Sequence, residues 1–367
     1  MMKVLIINTV RFKLNGISAV IKNYYKAMDK KDIQIDFLAI DTPSDEYRNF
    51  FKENSLRCFV FYKKDIIRYF CGIVKLCREE KYDVVHIHGN SANMAIELFA
   101  VTIGGVRNRI AHSHNTATMH PFMHKLLWPI FSKLCTVRLA CGEDAGKWLY
   151  KNKKFIVLNN GIQTKEYAFS DESRNKVRKE LGVQTDEILL GHVGNFIEQK
   201  NHSFLIDIFS EVHNINPKFK LLLISDGILI QTIKNKVHSL ELDDSVIFLG
   251  KTLKVSEYLQ GIDLFLLPSL YEGLPVVLVE AQAAGLICVV ADTIAREADL
   301  SETSIYLPIN TVAPWVEVIS KKDYKKENRK ECSEKNISKI KENGYDIEQN
   351  ANKLRQIYVN VYEENNK

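Results

Sequence analysis

The sequence predicts an α/β protein of two doubly wound domains facing each other across a cleft. Three observations carry this expectation. Short apolar runs of strand character alternate with helical stretches along the chain; the rhythm breaks once over a polar segment and restarts; and 367 residues is about twice an ordinary domain.

The first half runs through the strand KVLIINTV, a helical stretch from Ser18, the strands IQIDFLAI and RCFVFY, a helix near 66–81, and the strands DVVHIHG, RIAHSH, VRLACGE and FIVLNNG. This is the pattern of a parallel sheet with crossover helices. After Asn160-Gly161 comes the polar QTKEYAFSDESRNKVRKELGVQTDE. The rhythm then resumes at ILLGHVGN and continues through FKLLLISDG, SVIFLGK, DLFLLPS, ICVVAD and SIYLP. Rossmann-like domains are therefore expected over 1–165 and 166–345. The last segment, 346–367, carries Ile347, Ala351, Leu354, Ile357, Tyr358 and Val361 on one helical face and should pack back toward the first domain. Before it, SKKDYKKENRKECSEKNISKIKEN reads as a solvated helical face.

Hydrophobic residues at 46% and charged residues at 26% are ordinary for a soluble chain. MMKVLIINTV runs into the polar RFKLNG without a small-residue cleavage site, so it reads as a first strand rather than a signal peptide. No stretch approaches the roughly 18 uncharged apolar residues that would span a bilayer. Seven cysteines without a CxxC pair point to reduced, structural thiols and a cytoplasmic location. The net charge of +5 divides unevenly: residues 1–160 hold 25 Lys/Arg against 14 Asp/Glu, and the remainder 25 against 31. A basic first half suits an anionic substrate or membrane surface. With no helix-turn-helix, zinc-finger or RNP-like pattern, nucleic acid is not an expected partner. No GxGxxG follows a strand, which disfavours a nicotinamide enzyme. No Asp-x-Asp sits at a strand end and the histidines lack zincin spacing, so neither a metal nor a cofactor is expected.

In open α/β sheets, ligands bind beyond the carboxyl ends of the strands. Asn15-Gly16, His86 and His88, His112 and His114, Asn195 and Lys200, Asp226-Gly227, and Glu272 all fall there. The stretch LPSLYEGLPVVLVEAQAAG, residues 267–285, is the most informative. Pro275 suits the first turn of a helix, which puts Glu272 in the preceding loop and Glu280 inside the helix, about 8 Å from its start at roughly 1.5 Å per residue. Free amides near Gly273, Leu274 and Val276 favour a phosphate at the helix N-terminus. A carboxylate on each side of that phosphate would accept hydrogen bonds from sugar hydroxyls.

Taken together, Glu272 and Glu280 as E-x7-E, the loop VGNFIEQKN, the turn VLNNGI and the segment DTIAREADL resemble the retaining GT-B glycosyltransferases of family 4, the group of capsular and exopolysaccharide enzymes. The resemblance spans nearly the whole chain. It implies that Glu280 holds the donor's ribose hydroxyls, Glu272 the transferred sugar, and the Gly273 and Leu274 amides the sugar and phosphates. It also implies that Lys200 meets the diphosphate, that His114 lies near the reacting sugar, and that Gly16 lets backbone approach substrate. The implied reaction is sugar transfer from a nucleotide-diphosphate sugar to a lipid-linked oligosaccharide, metal-independent, with retention by same-face displacement. Two positions depart from the pattern. Asn195 stands where the family has an arginine beside its lysine, and Asn15-Gly16 replaces a glycine pair. A non-catalytic partner subunit of the same fold, or a sugar-nucleotide epimerase, are the alternatives. The segment MHPFMHKLLWPIFSKLC, 119–135, joins Phe122, Trp128 and Phe131 to Lys125 and Lys133 and is the expected contact with an anionic membrane; the alternative is an ordinary buried helix with a few surface lysines, since Pro121 and Pro129 break any long amphipathic pattern.

Overall fold

The computed structural model describes residues 1–13, 15–118, 120–324 and 328–364; Met119 of the expected membrane segment, 325–327 of the charge-dense run and 365–367 of the last segment lie outside the described residues. The chain forms two compact units, Met1–Gly161 together with Ile347–Lys367, and Ile162–Asp346.

The first unit is built on seven strands: β1 Met2–Asn8, β2 Ile33–Ala39, β3 Cys58–Val60, β4 Val84–Gly89, β5 Asn108–Ser113, β6 Val137–Ala140 and β7 Ile156–Val157. Their order is β3-β2-β1-β4-β5-β6-β7, with parallel pairing throughout. Both faces are covered, which is why the strands are apolar runs rather than alternations. One face buries Val4, Ile6, Val84 and Ile110 against Ile347, Ala351, Leu354 and Tyr358 of the helix Ile347–Glu364. The other buries Leu5, Ile7, Val85 and Ile87 against Tyr69, Ile73 and Leu98. The last helix thus completes the first unit's core, and Asn350 Nδ2 donates to the Asn159 carbonyl at 3.0 Å.

The second unit has six strands: β8 Ile188–Val193, β9 Phe219–Ile224, β10 Val246–Gly250, β11 Leu264–Leu267, β12 Cys288–Ala291 and β13 Ser304–Leu307, in the order β10-β9-β8-β11-β12-β13, again all parallel. Phe209, Leu221, Phe265, Leu278 and Trp315 are among its fully covered core side chains.

One sequence expectation needs correction here. The charge-dense run is not simply solvated: the helix Arg329–Glu342 buries Ser333, Asn336 and Ile340, and the Arg329 guanidinium donates to the carbonyls of Leu259, Gln260, Ile262 and Ala284. A charged residue at the start of a packed helix can serve loose carbonyls of neighbouring helix ends, and charge counting alone misses this. Pro129 sits inside its helix. The helix Pro121–Leu134 runs through it, with Lys125, whose carbonyl loses its helical donor to the proline, at an exposed position. Trp128 lies half-buried, its indole N–H on the Leu149 carbonyl at 2.9 Å, while Phe122, Met123, Leu126 and Ile130 are exposed.

Candidate functional site

In the second unit the strand order reverses between β8 and β11, and the two loops that follow these strands lie side by side. Lys200 and Glu272, 72 residues apart, pair there: Lys200 Nζ is 2.5 Å from Glu272 Oε1, with the side chains 17% and 9% exposed. Gln199 braces the same pair of loops. Its carbonyl accepts from Leu270 N, and its amide donates to the Tyr271 carbonyl at 2.9 Å and to Glu272 Oε2 at 3.3 Å. Asn201, in the left-handed region at φ 56°, donates to the Pro268 carbonyl. An ammonium has three protons, so Lys200 keeps others for a second anion while Glu272 holds one.

Beneath this pair, Gly194 allows a close approach. A Cβ there would come within 2.9 Å of His192 Nε2 and 3.1 Å of Lys200 Cδ. The next residue, Asn195, accepts from Ser225 Oγ through its Oδ1 at 2.8 Å. His192 uses Nδ1 on the Leu266 carbonyl, which leaves Nε2 buried without a partner, and burial holds its pKa well below the usual histidine value.

The helix Val276–Ala283 starts from Pro275, has no side-chain cap and carries no acidic residue in its first turn; the Leu278 amide bonds the Pro275 carbonyl at 2.9 Å, which leaves the amides ahead of it for an anion. Gly273 and Leu274 lead into it, and a Cβ on Gly273 would meet nothing within 4 Å. Glu280 lies partly buried in this helix, and the Tyr167 hydroxyl donates to its Oε1 at 2.7 Å. Burial raises the Glu280 pKa, against the lowering effect of that hydrogen bond. A buried carboxylate with capacity for more donors is suited to hydroxyls.

In the first unit the order reverses between β1 and β4. A cavity of about 810 Å³ opens at the ends of these strands and β5, lined by Thr9, Asn90, Ser91, Asn93, Asn115 and His120 among others. Asn90 Oδ1 and Asn93 Oδ1 are buried without partners. Lys63 also lines the cavity, its charge met by Glu97 at 2.6 Å. Gly16 begins the helix Gly16–Ala27, behind an Asn15 cap whose side chain accepts from Ser18 N, and a Cβ on Gly16 would meet nothing within 4 Å. His114 stands just past β5, its Nε2 2.9 Å from His88 Nδ1, and burial pushes its pKa down to about 3.

Residues 173–300 match the family described as Glycosyl transferases group 1, and residues 14–166 match Glycosyltransferase Family 4. A putative glycosyltransferase, EpsF of Bacillus subtilis, is 31% identical over 94% of this chain and 93% of its own. The chain belongs to the GT-B glycosyltransferases of family 4. The UDP-Gal:alpha-D-GlcNAc-diphosphoundecaprenol alpha-1,3-galactosyltransferase of Escherichia coli is 24% identical over 95% of this glycosyltransferase and 94% of that enzyme. Among solved structures, Anabaena HepE in complex with UDP superposes with a TM-score of 0.78 at 16% identity, covering 98% and 100% of the two chains. Complexes of HepE with UDP-glucose are known as well.

Of the residues singled out from sequence, the glycosyltransferase's second unit brings Lys200, Glu272, Gly273 and Leu274 to one end of its sheet, with Asn195 in the adjoining loop and Glu280 farther along the same helix. Tyr167 and Gln199 went unrecognised, since their importance lies in contacts 113 and 73 residues away. So did Asn90 and Asn93, although Gly89-Asn90-Ser91 at a strand end offered the same signal as Asn15-Gly16.

Proposed function

We propose that this glycosyltransferase moves a sugar from a nucleotide-diphosphate donor to a lipid-linked oligosaccharide during capsular or exopolysaccharide assembly, with retention at the anomeric carbon. The observation that carries the reading is the Lys200–Glu272 pair beside an uncapped helix N-terminus, with Glu280 in the same helix. Glu280 receives the ribose hydroxyls, Glu272 the transferred sugar, and Lys200 with the Gly273 and Leu274 amides the diphosphate. Asn195 leaves Lys200 as the main side-chain cation of that loop. In the first unit, His114 is neutral at working pH and is assigned to the reacting sugar, and Gly16 to the approach of substrate. The departing phosphate oxygen takes the acceptor proton on the face it leaves, so leaving-group charge is met by protein donors. UDP in the HepE complexes and the diphosphoundecaprenol acceptor in the galactosyltransferase's name support these substrate classes.

A thermal-shift panel of nucleotide sugars tests the donor, because a ligand bound only by the native state raises its melting temperature. One responding sugar nucleotide, consumed when a lipid diphosphate-linked sugar is added, is the expected result. Binding without transfer to any such acceptor would favour a non-catalytic partner subunit, the reading that Asn195 raises.

No helix among the described residues is long and apolar enough to cross a membrane. The lipid acceptor is instead met at the inner surface by an apolar face of the first unit. There a groove lined by Ile66, Ile67, Phe70, Phe99, Leu127 and Ile130 adjoins exposed Phe122 and Leu126, with Lys125 and Lys133 on the same helix.

A further inference from the structure

Parallel pairing of β4 with β5 sets His88 directly opposite His112, and the two-residue spacing on each strand brings His86 and His114 onto the same sheet face. Four imidazoles therefore stack in one block, with ring centroids 4.0 Å apart for His86 and His88 and 4.2 Å for His112 and His114. His86 and His112 are fully covered, and His88 is 2% exposed. Each is held neutral by burial and by its histidine neighbours.

Packing does not account for the nitrogens. His86 Nε2, both nitrogens of His112 and His114 Nδ1 are buried without hydrogen-bond partners. Unpaired buried polar atoms are costly, and four in one block call for an occupant. One ligand nitrogen from each of His86, His88 and His112 lies within 4.8 Å of the others. Zinc bonds of about 2.0–2.1 Å in a tetrahedron need nitrogens roughly 3.4 Å apart, so the rings must turn toward one another to close on an ion. On two of the three rings the remaining nitrogen is already engaged, as metal-bound imidazoles require, while His112 keeps a second nitrogen without a partner. His86 Nδ1 is 2.6 Å from the Tyr358 hydroxyl, and His88 Nδ1 contacts His114 Nε2.

We propose that His86, His88 and His112 form a buried site for a divalent transition-metal ion of the zinc class. Three neutral imidazoles suit zinc, cobalt, nickel or copper and not magnesium or calcium, which take oxygen ligands. Water or hydroxide fills the fourth position. The ion joins β4 to β5 where the sheet's ligand end begins, and it fixes the His88 tautomer that donates to His114. The site lies wholly within the first unit and does not depend on which sugar is transferred.

The test uses the full chain without a polyhistidine tag, stripped with chelator and titrated with Co²⁺. One equivalent should bind with the intense visible absorption of a four-coordinate site, be displaced by Zn²⁺, and raise the melting temperature. His112→Asn should abolish that absorption, whereas His238→Ala, at an exposed histidine, should leave it intact. Should His112→Asn not fold, Tyr358→Phe keeps the ring and removes the hydroxyl, and metal affinity should fall about 10–100-fold. Absence of four-coordinate Co²⁺ in the parent, or an affinity unchanged by both His112→Asn and Tyr358→Phe, would overturn the proposal and leave ordered water as the occupant.

Discussion

Burial raises the pKa of Glu280, while ribose hydroxyls donating to the carboxylate would favour its charged form and draw the pKa back down. Donor binding should then release a proton at low pH. Affinity is expected to rise with pH through the raised pKa of the free enzyme and to level off above it, and Glu280→Gln should flatten the profile while weakening binding. The same shift has a stability consequence. A raised folded-state pKa means that stability is lost as pH rises through it, so Glu280→Gln should raise the melting temperature at neutral pH. Titrations of nucleotide binding and thermal melts at several pH values check both. At the neighbouring pair, Lys200→Ala leaves Glu272, 9% exposed, without its cation, an expected cost of about 1–3 kcal/mol. Adding Glu272→Gln should recover much of that stability and none of the diphosphate affinity, a separation that a double-mutant cycle measures. Asn195→Arg should strengthen diphosphate binding at the expense of the Ser225 hydrogen bond.

Loops rather than strands decide the donor-side geometry at the scale of elements. A Cβ on Gly227 would come within 2.6 Å of the Phe196 backbone nitrogen and oxygen, so the loop carrying Asn195 must shift to admit it. Gly227→Ala should cost about 1–3 kcal/mol of overpacking and lower nucleotide affinity, as seen by denaturant melts and calorimetry. Gly273→Ala has open space and should leave stability unchanged, so any loss of binding there would report contact with the ligand. On the first unit, the helix Pro121–Leu134 exposes Phe122, Met123, Leu126 and Ile130. Binding to anionic vesicles should be salt-sensitive and weakened by Lys125→Glu with Lys133→Glu, with nucleotide affinity unaltered. Phe122→Ser with Leu126→Ser should weaken binding even at low salt. Equal partitioning onto neutral and anionic vesicles would remove the electrostatic part of this reading.

Over the whole molecule, the last helix belongs to the core of the unit formed by the first residues, so distant ends of the chain share one folding unit. Leu354→Ala, at 2% exposure, should destabilise that unit by about 2–5 kcal/mol, and calorimetry should show the loss in its unfolding transition. The sequence by itself determined the alternation of strands and helices, the polar break near residue 161, the apolar face of the last helix, and the placement of Gly16, His114, Lys200 and Glu272 at strand ends. These follow from local periodicity and turn chemistry, which neighbouring residues carry. Only the tertiary structure decided that Lys200 grips Glu272, that Tyr167 caps Glu280, that Arg329 serves inner carbonyls, and that four histidines share one face. Each of these contacts depends on which strands and helices become neighbours, and side chains tens to hundreds of residues apart meet only once sheet order and register are set.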